Sequence, residues 1–368
     1  MEICYKNKKS ISDILQKSEM LKWSCEAYNE PSILLRGDNF EGLSFLLHGG
    51  YEGKIDLIYI DPPFNTNQDY CVSEDRCQAV SMSKDGNIAY SDKYSLEDYL
   101  EFIRERIVLM HKLLSDRGSL YFHIDTKMGH YCKLLIDEIF GRENFKNDIT
   151  RIKSNPKNFA RSAYGNEKDV ILFYAKKSGK NIWNDITEPL TKEEIKIRYT
   201  KKDAKGYYTT IPLHAPGETA NGLTGQCWRG LMPPKGRHWR TNPAEFDKLD
   251  EQGLIEWSSS GNPRIKKYAK DHKGKKIQDI WTFKDPQYPL YPTQKNEKMI
   301  ERIISQSSDE NSIILDCFAG GGTTLAAAES LHRKWIGIDN SEEAIKTIRA
   351  RLQNSDFTQY DLCRKLKT

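Results

Sequence analysis

The feature that most constrains the fold of this chain is a turn with three consecutive glycines. An apolar run at 312–315 (SIIL) is followed by Asp316 and the glycines, and then by the helical pattern of 323–331 (TTLAAAESL). Glycine permits positive φ and lets a ligand approach the bare backbone where a strand turns into a helix. A second apolar run, 334–338 (KWIGI), ends in Asp339. The pattern predicts a βαβ unit of an open α/β sheet.

The position of Asp339 indicates a nucleoside ligand. An acid about 20 residues beyond a glycine turn is placed to accept hydrogen bonds from ribose hydroxyls, and Asp339 follows at about that spacing. Such units occur in proteins that bind nicotinamide, flavin and adenosylmethionine cofactors. The glycines do not follow the G-x-G-x-x-G pattern, and no G-K-[ST] follows them. A phosphate-free cofactor therefore fits better than a dinucleotide or ATP.

A second motif, Asp61-Pro62-Pro63-Phe64, follows the apolar run 55–60 (IDLIYI) and so lies at the end of another strand. Because the prolines have no N–H, the backbone offers acceptors only, beside a carboxylate. Asp61 and the Pro62 carbonyl can accept two N–H bonds from an exocyclic amine, while Phe64 stacks on the ring that carries it. The motif predicts a site for a planar group that carries an exocyclic amine, with the lone pair of that amine pointing outward.

Together, these motifs resemble those of amino-group DNA methyltransferases. The segment 61–64 is similar to their catalytic motif, which more often has Tyr at the position of Phe64, and both residues keep the stacking face. The segment 316–324 (DCFAGGGTT) is similar to their adenosylmethionine motif, which usually has Pro at the position of Cys317. The order of the motifs resembles the β-group of adenine-N6 and cytosine-N4 enzymes, which includes modification subunits of restriction systems.

This resemblance implies an α/β fold with a Rossmann-like, adenosylmethionine-dependent methyltransferase sheet. It also implies a circularly permuted motif order and an inserted target recognition domain. The organisation we predict has five parts. These are an N-terminal extension at 1–28, the first part of the catalytic domain at 29–175, the target recognition domain at 176–285, the second part of the catalytic domain at 286–352, and a C-terminal tail at 353–368.

The resemblance further implies which residues bind S-adenosylmethionine. The acid of 34–39 (LLRGDN) is Asp38, and 291–304 (YPTQKNEKMIERII) is similar to the helix that closes the cofactor site. Thr293 and Lys295 would face the methionine end, although a solvated lysine is the other interpretation of Lys295. The implied cofactor-binding residues are Asp38, Thr293, Lys295, Asp316, Phe318, Ala319, Gly320, Gly322, Thr323, Thr324 and Asp339.

The catalytic residues implied by the resemblance are Asp61, Pro62, Pro63 and Phe64. Adenine and cytosine both present an exocyclic amine to such a motif, and the family's tendency to begin it with Asp for adenine favours adenine N6. We expect site-specific methylation of double-stranded DNA by the modification component of a restriction-modification system. The alternatives are a cytosine-N4 enzyme, a methyltransferase of RNA or protein amides, and a non-catalytic DNA-binding partner. A pure binding module would not need both motifs.

A basic segment with interleaved aromatic residues occupies the middle of the chain. Between Lys176 and Lys284 the core periodicities fade, and basic runs appear at 235–240 (KGRHWR) and 264–270 (RIKKYAK). The resemblance implies that this segment is the target recognition domain, with 217–240 as a stretch that recurs in site-specific members. A solvated basic insert is the alternative, because the net charge of the chain is only +4. The candidate DNA-binding residues are Arg229, Lys235, Arg237 and Arg240.

Local patterns predict further elements of the catalytic domain. Ser95 is expected to cap a helix, followed by a strand at 119–124, a helix at 128–140 and a strand at 170–174, all in parallel βαβ winding. His123 has apolar neighbours, and we interpret it as a hydrogen-bonded core residue without a chemical role.

Composition indicates the cellular setting. The chain has eight cysteines without zinc-ligand spacing, so we expect reduced thiols, no metal and a cytoplasmic location. No apolar run approaches the roughly 20 residues of a membrane helix. The expected partners are double-stranded DNA, a cognate restriction endonuclease carried by another protein, and a second copy of the chain in a homodimer.

Overall fold

The structure is a computed structural model that describes residues 2–21, 23, 32–65, 68–72, 87–92, 94–155, 162, 164–219, 221–292 and 294–362. The chain divides into two compact units. The larger unit comprises Met1–Ile186 and Gln278–Thr368, and the smaller unit is Thr187–Ile277. The range 176–285, predicted as the recognition domain, therefore includes the smaller unit together with short flanking segments of the larger unit.

The strands of the described residues vary in length, from strands of two residues to one long strand in the main sheet. In chain order they are β1 (Ile33–Arg36), β2 (Ile55–Ile60), β3 (Gln68–Val72), β4 (Asn87–Asp92), β5 (Leu114–Ile124), β6 (Phe145–Ile152), β7 (Lys168–Ala175), β8 (Thr187–Glu188), β9 (Lys201–Asp203), β10 (Gly206–Pro212), β11 (His214–Pro216), β12 (Arg237–Trp239), β13 (Ile255–Trp257), β14 (Pro263–Tyr268), β15 (Lys275–Lys276), β16 (Ile280–Thr282), β17 (Ile313–Asp316), β18 (Lys334–Asp339) and β19 (Thr358–Asp361).

The α-helices of the same residues lie mostly in the larger unit. They are α1 (Ile11–Glu19), α2 (Asn39–Leu46), α3 (Leu96–Leu113), α4 (Gly129–Phe140), α5 (Lys192–Arg198), α6 (Pro243–Glu251), α7 (Glu297–Ser307), α8 (Thr323–Ser330) and α9 (Glu342–Arg351). As predicted, Ser95 caps α3, and its hydroxyl accepts a hydrogen bond from the backbone N–H of Asp98 at 3.2 Å. In the described ranges, no helix combines the length and apolar character needed to cross a membrane.

The main sheet of the larger unit has the order β16-β6-β7-β5-β2-β17-β18-β1-β19 among the described strands. The strands β5, β2, β17, β18 and β1 are parallel to one another. In contrast, β7 runs antiparallel to both β5 and β6. The prediction of parallel winding is therefore wrong for the strand at 170–174. Its neighbour β6 immediately precedes it as a strand, and antiparallel neighbours need no crossover helix.

The parallel strands bring their carboxyl ends to one edge of the sheet, where ligands bind in open α/β folds. Asp61 directly follows β2, while Asp316 and Asp339 are the last residues of β17 and β18. The N–H of Gly37, just after β1, donates to the carbonyl of Asp339 at 3.0 Å. This bond holds the ends of β1 and β18 together, so Asp38 lies at the same edge.

Amphipathic helices cover the sheet and form the core of the larger unit. On α3, the side chains of Tyr99, Ile103 and Ile107 recur at four-residue spacing, and each is at most 1% exposed. Burying one such side chain contributes about 1.5–3 kcal/mol relative to leaving it exposed. Ile14 of α1 belongs to the same core, and β19 pairs with β1. The ranges 1–28 and 353–368 thus contribute elements to the larger unit.

The smaller unit is built on antiparallel strands. Its largest sheet has the order β13-β14-β10-β9 among the described strands, and β11 pairs with β12. Helix α6 closes a separate apolar core, where the indole N–H of Trp228 donates to Asp247 at 3.0 Å. The buried residues of this core are Leu213, Trp228, Trp239, Phe246, Ile255 and Ile265.

Candidate active site

A cavity of about 440 Å³ lies at the carboxyl ends of the parallel strands in the larger unit. A volume of this size suits a nucleoside-sized ligand. Both sequence motifs contribute to its walls, as does Tyr291 of the segment before α7. The predicted site residues that line the cavity are Asp38, Asp61, Pro62, Pro63, Phe64, Lys295, Asp316, Phe318, Ala319, Gly320, Thr323, Thr324 and Asp339.

Two predicted cofactor residues are not among these. Thr293 lies outside the described residues. Gly322 is the N-cap of α8 and is absent from the described cavity wall, where Gly321 is present instead. Gly322 therefore shapes the start of the helix.

Asp316 and Asp339 hold the glycine turn through hydrogen bonds. One oxygen of Asp316 accepts from the Phe318 N–H at 3.0 Å, and the other accepts from the Thr324 hydroxyl at 2.6 Å. Asp339 Oδ2 accepts from the Gly320 N–H at 2.8 Å. Each carboxylate oxygen has two lone pairs. Asp339 can therefore support the turn and still accept a hydrogen bond from a ligand hydroxyl.

Two positions of the turn have backbone conformations that favour glycine. Gly320 and Gly322 have φ values of 49° and 72°, in the left-handed region. A Cβ on Gly321 would lie 2.6 Å from the Cβ of Tyr291. The turn thus presents bare backbone to the cavity while packing tightly against the neighbouring segment, and this cradle suits close approach of a cofactor.

Burial changes the acidity of the carboxyl groups beside the turn. Desolvation raises the pKa of Asp316 to about 7, with contributions from the charges of Asp61 and Asp339, while the bonds from Thr324 and Phe318 oppose the shift. Desolvation also raises the pKa of Asp339, against the hydrogen bonds from the backbone of Ser341 and Gly320. Asp316 is therefore partly protonated at neutral pH.

We expect Asp316→Asn to change how stability depends on pH. Between about pH 4 and pH 7, the folded wild type keeps a proton on Asp316 that the unfolded chain releases. Its stability relative to the variant should therefore fall as pH rises through this window, by up to about 1.4 kcal/mol per pH unit, and level off above it. Urea unfolding of both proteins from pH 4.5 to 8 measures this difference. A difference that stays constant with pH would contradict the assignment.

Lys295 contacts the catalytic motif directly. Its Nζ forms an ion pair with Asp61 Oδ2 and lies 5.4 Å from the centre of the Phe64 ring. The resemblance places this lysine toward the methionine end of the cofactor, and the contact with Asp61 was not predicted. The other oxygen, Asp61 Oδ1, is buried and has no hydrogen-bond partner among the described residues. The hydroxyl of Tyr99 donates to the Pro63 carbonyl at 2.7 Å and so anchors the second proline.

Asp38 is held at the cavity by a residue that the sequence analysis missed. Its carboxylate caps α2 by accepting from the backbone N–H of Phe40 at 2.8 Å, and it pairs with the guanidinium of Arg106 at 3.1 Å. Arg106 also donates to Asn39 Oδ1 at 2.6 Å. The available signal is that Arg106 lies three residues after Ile103 of α3, on the apolar face.

His123 is buried and hydrogen-bonded, as predicted. Its Nδ1 lies 2.8 Å from the hydroxyl of Tyr59, and its Nε2 lies 3.1 Å from Asp169 Oδ1. Its distance of 3.8 Å from Asp61 Oδ1 was not predicted. The residue is 0% exposed and lies directly behind the wall of the cavity.

The four candidate DNA-binding residues lie in the smaller unit and are exposed. Arg229 forms ion pairs with Asp250 and, at 3.2 Å, with Asp247 of α6. Arg240 donates through Nε to the Pro212 carbonyl at 3.0 Å. The candidate residues therefore differ in how strongly the protein itself engages them.

Comparison with known proteins decides the family. The family model for N6/N4 methyltransferases, described as DNA methylase, matches residues 55–350. This range contains both the catalytic-type motif and the glycine turn. The chain belongs to this DNA methylase family. The methylase is 39% identical over 360 residues to the type II methyltransferase M.EcaI of Enterobacter cloacae, covering 94% of this chain and 76% of that protein.

Other similarities are more distant. The methylase is 27% identical over 342 residues to the StyLTI Mod subunit of a type III restriction-modification enzyme from Salmonella typhimurium, covering 84% of this chain and 51% of the subunit. It thus spans about half the length of that relative. Among solved structures, M1.HpyAVI aligns with 87% of this chain and 98% of its own, at 19% identity and a TM-score of 0.45.

The reaction of the methylase follows from its family. The methylase is an S-adenosylmethionine-dependent enzyme that methylates amino groups of DNA bases, at adenine N6 or cytosine N4. The cavity fits such a cofactor, because it offers a bare glycine backbone, the carboxylate of Asp339 for hydroxyl groups, and the aromatic ring of Phe318. The predicted Rossmann-like methyltransferase fold and its permuted motif order are confirmed.

Proposed function

We propose that this methylase modifies adenine N6 at specific sites in double-stranded DNA. The observation that carries the proposal is the Asp61–Phe64 motif on the wall of the same cavity as the glycine turn. This arrangement supports a target amine held next to a cofactor. An Asp at the first position of the motif favours adenine over cytosine within the resembled group.

We assign the catalytic motif the following roles. S-adenosylmethionine supplies the electrophilic methyl group when bound. Asp61 and the Pro62 carbonyl accept the two N–H bonds of the extruded base, and Phe64 stacks on its ring. This orients the amine lone pair, and much of the rate follows from that orientation. Extruding a base requires a few kcal/mol, which the contacts of the pocket offset.

Lys295 has a supporting role in this proposal. By pairing with Asp61 Oδ2, its ammonium fixes the orientation of that carboxylate beside the target amine. No base is needed before attack, because the nitrogen becomes acidic only when methylated. The ammonium has three protons, so contact with Asp61 is compatible with a second contact to the methionine end of the cofactor.

The remaining predicted residues are proposed to bind the cofactor. Asp339 accepts hydrogen bonds from the ribose hydroxyls of the cofactor. Asp38, which is held in place by Arg106, also contacts the cofactor. Thr293 retains its proposed place at the methionine end. The glycine turn and its flanking side chains complete the contact surface through Asp316, Phe318, Ala319, Gly320, Thr323 and Thr324, while Gly322 sets the start of α8.

The identity of the methylated base is tested by incubating the protein with methyl-labelled S-adenosylmethionine and plasmid DNA, followed by mass spectrometry of the nucleosides. We expect N6-methyladenine. N4-methylcytosine would keep the fold and the chemistry but overturn the proposed base. Sequencing of the modified sites would then define the recognition sequence.

We also propose that the smaller unit recognises the target sequence through Lys235, Arg237 and Arg240. Replacing Lys235 and Arg237 by alanine should weaken DNA binding and reduce the slope of log K against log salt by about one for each phosphate that is no longer neutralised. Arg229→Ala is the comparison, because Asp247 and Asp250 already engage that side chain. Its salt slope should change least. Equal salt slopes for all variants would contradict the assignment of Lys235 and Arg237 as phosphate contacts. Fluorescence anisotropy over a salt series makes the measurement.

The biological setting is part of the same proposal. A relative named as a subunit of a restriction-modification enzyme supports a cognate endonuclease as partner. We further propose a homodimer and a cytoplasmic location, where DNA and cofactor are both available.

A further inference from the structure

A chain of buried charged side chains leads away from Asp61 across the main sheet. His123 Nδ1 lies 3.8 Å from Asp61 Oδ1, and His123 Nε2 lies 3.1 Å from Asp169 Oδ1. Asp169 Oδ2 in turn lies 3.2 Å from the guanidinium of Arg151. These residues come from, or directly follow, the neighbouring strands β2, β5, β7 and β6. Each strand thus contributes one member.

The central members of the chain are enclosed, and its far end pairs with the partly exposed side chains of Lys153 and Asp285. His123 and Arg151 are 0% exposed and Asp169 is 1% exposed. Burying charged groups is costly even when they are paired, and well-packed apolar residues often serve stability equally well. Stability therefore does not explain why this row of charges ends at the carboxylate of Asp61. Its position behind the base-binding motif is the informative feature.

The chain also orients the imidazole of His123. Burial by itself would raise the pKa of Asp169, but the neighbouring His123, Arg151 and Lys153 hold that pKa well below its usual range. An ionised Asp169 favours the tautomer with the proton on Nε2. In that tautomer Nδ1 faces Asp61 and accepts the hydroxyl hydrogen of Tyr59, whose side chain lines the cavity. The ring of His123 also lies 6.2 Å from that of Phe64.

We propose that His123, held by Asp169, is a positioning residue that fixes the hydroxyl of Tyr59 and the ring of Phe64 behind the target base. This inference rests on the catalytic role proposed above for the Asp61–Phe64 motif. His123 touches the catalytic motif from the side opposite the cofactor turn, so it acts on the orientation of the target amine. It has no part in binding the cofactor.

The test is a single-turnover measurement of labelled methyl transfer to DNA by His123→Leu and Asp169→Asn, with S-adenosylhomocysteine affinity followed by calorimetry. We expect His123→Leu to lower the rate constant about 10- to 100-fold, because misplacement of a reacting group by 1 Å can have an effect of that size. Asp169→Asn should lower it at least about threefold through loss of its charge. The cofactor affinity of both variants should stay within about threefold of wild type.

The matched control is His111→Leu, at a partly buried histidine of the same unit, which lies 3.2 Å from Lys176 and outside the cavity wall described above. Its single-turnover rate should equal that of wild type, because a purely structural change alters the folded fraction and not the rate constant of folded protein. A His123→Leu protein that transfers methyl groups within twofold of wild type, or that loses cofactor affinity in parallel with rate, would overturn the proposal. If this variant does not fold, Asp169→Asn decides by the same criteria. Asp61→Asn in the same series separates the positioning role of His123 from the catalytic role of Asp61. If Asp61→Asn retains the wild-type rate, the catalytic role of Asp61 itself is contradicted.

Discussion

Asp61→Ala is expected to reduce methyl transfer by at least about 100- to 1000-fold, as removal of a single transition-state hydrogen-bonding group does in other enzymes. The variant loses the acceptor proposed for the target amine and the anionic partner of Lys295. Cofactor binding should remain nearly unchanged, because the glycine turn and Asp339 hold their own hydrogen bonds. Single-turnover kinetics and calorimetric titration with S-adenosylhomocysteine measure the two properties separately.

The matched control for this variant is Asp116→Ala. Asp116 is an exposed acid of the same unit, whose side chain is 58% exposed and pairs with Lys177 at 2.7 Å. Its removal should leave both rate and affinity as in wild type, because exposed pairs contribute little. A proportional loss of rate and cofactor affinity in Asp61→Ala would refute the division of labour between the two motifs.

Gly322→Ala is expected to destabilise the fold and to weaken cofactor binding. Gly322 has φ of 72°, and a Cβ there would lie 2.8 Å from Cγ1 of Ile348 in α9. Left-handed strain in a residue with a side chain costs about 1–3 kcal/mol, before the clash is counted. Because Gly322 is the N-cap of α8, relief of the clash displaces the helix start that follows the turn. We expect the affinity for S-adenosylhomocysteine to fall at least about tenfold, by the sensitivity of such sites to small displacements.

Gly53→Ala separates the backbone strain from the clash. Gly53 has φ of 68°, close to that of Gly322, but a Cβ there meets nothing within 4 Å. It should lower the free energy of unfolding by about 1 kcal/mol and leave cofactor affinity unchanged. Thermal unfolding and calorimetry of both variants make the comparison. Equal affinities for the two variants would show that the glycine turn is not needed for the cofactor.

Residues close together in the sequence were enough to predict both motifs of the site, the Asp61–Phe64 motif and the glycine turn. The strands before Asp61 and Asp316 are short apolar runs, and the glycine turn and the Ser95 cap depend on residues within a few positions of one another. Turn and cap chemistry depends on backbone conformation over that short range. The sheet edge that brings the motifs together follows from parallel strand direction, which the same patterns indicated.

Only the tertiary structure decided the contacts around these motifs. Three of these contacts join parts of the chain that are distant in sequence. They are the antiparallel pairing of β7 with β5, the anchoring of Asp38 by Arg106, and the ion pair between Lys295 and Asp61. The same holds for the contact of His123 with Asp169 on the adjacent strand. Periodicity identifies which face of an element is buried, but it does not specify which polar group of another element that face meets. That pairing depends on strand order and register, because these set the few side chains that come within hydrogen-bonding distance.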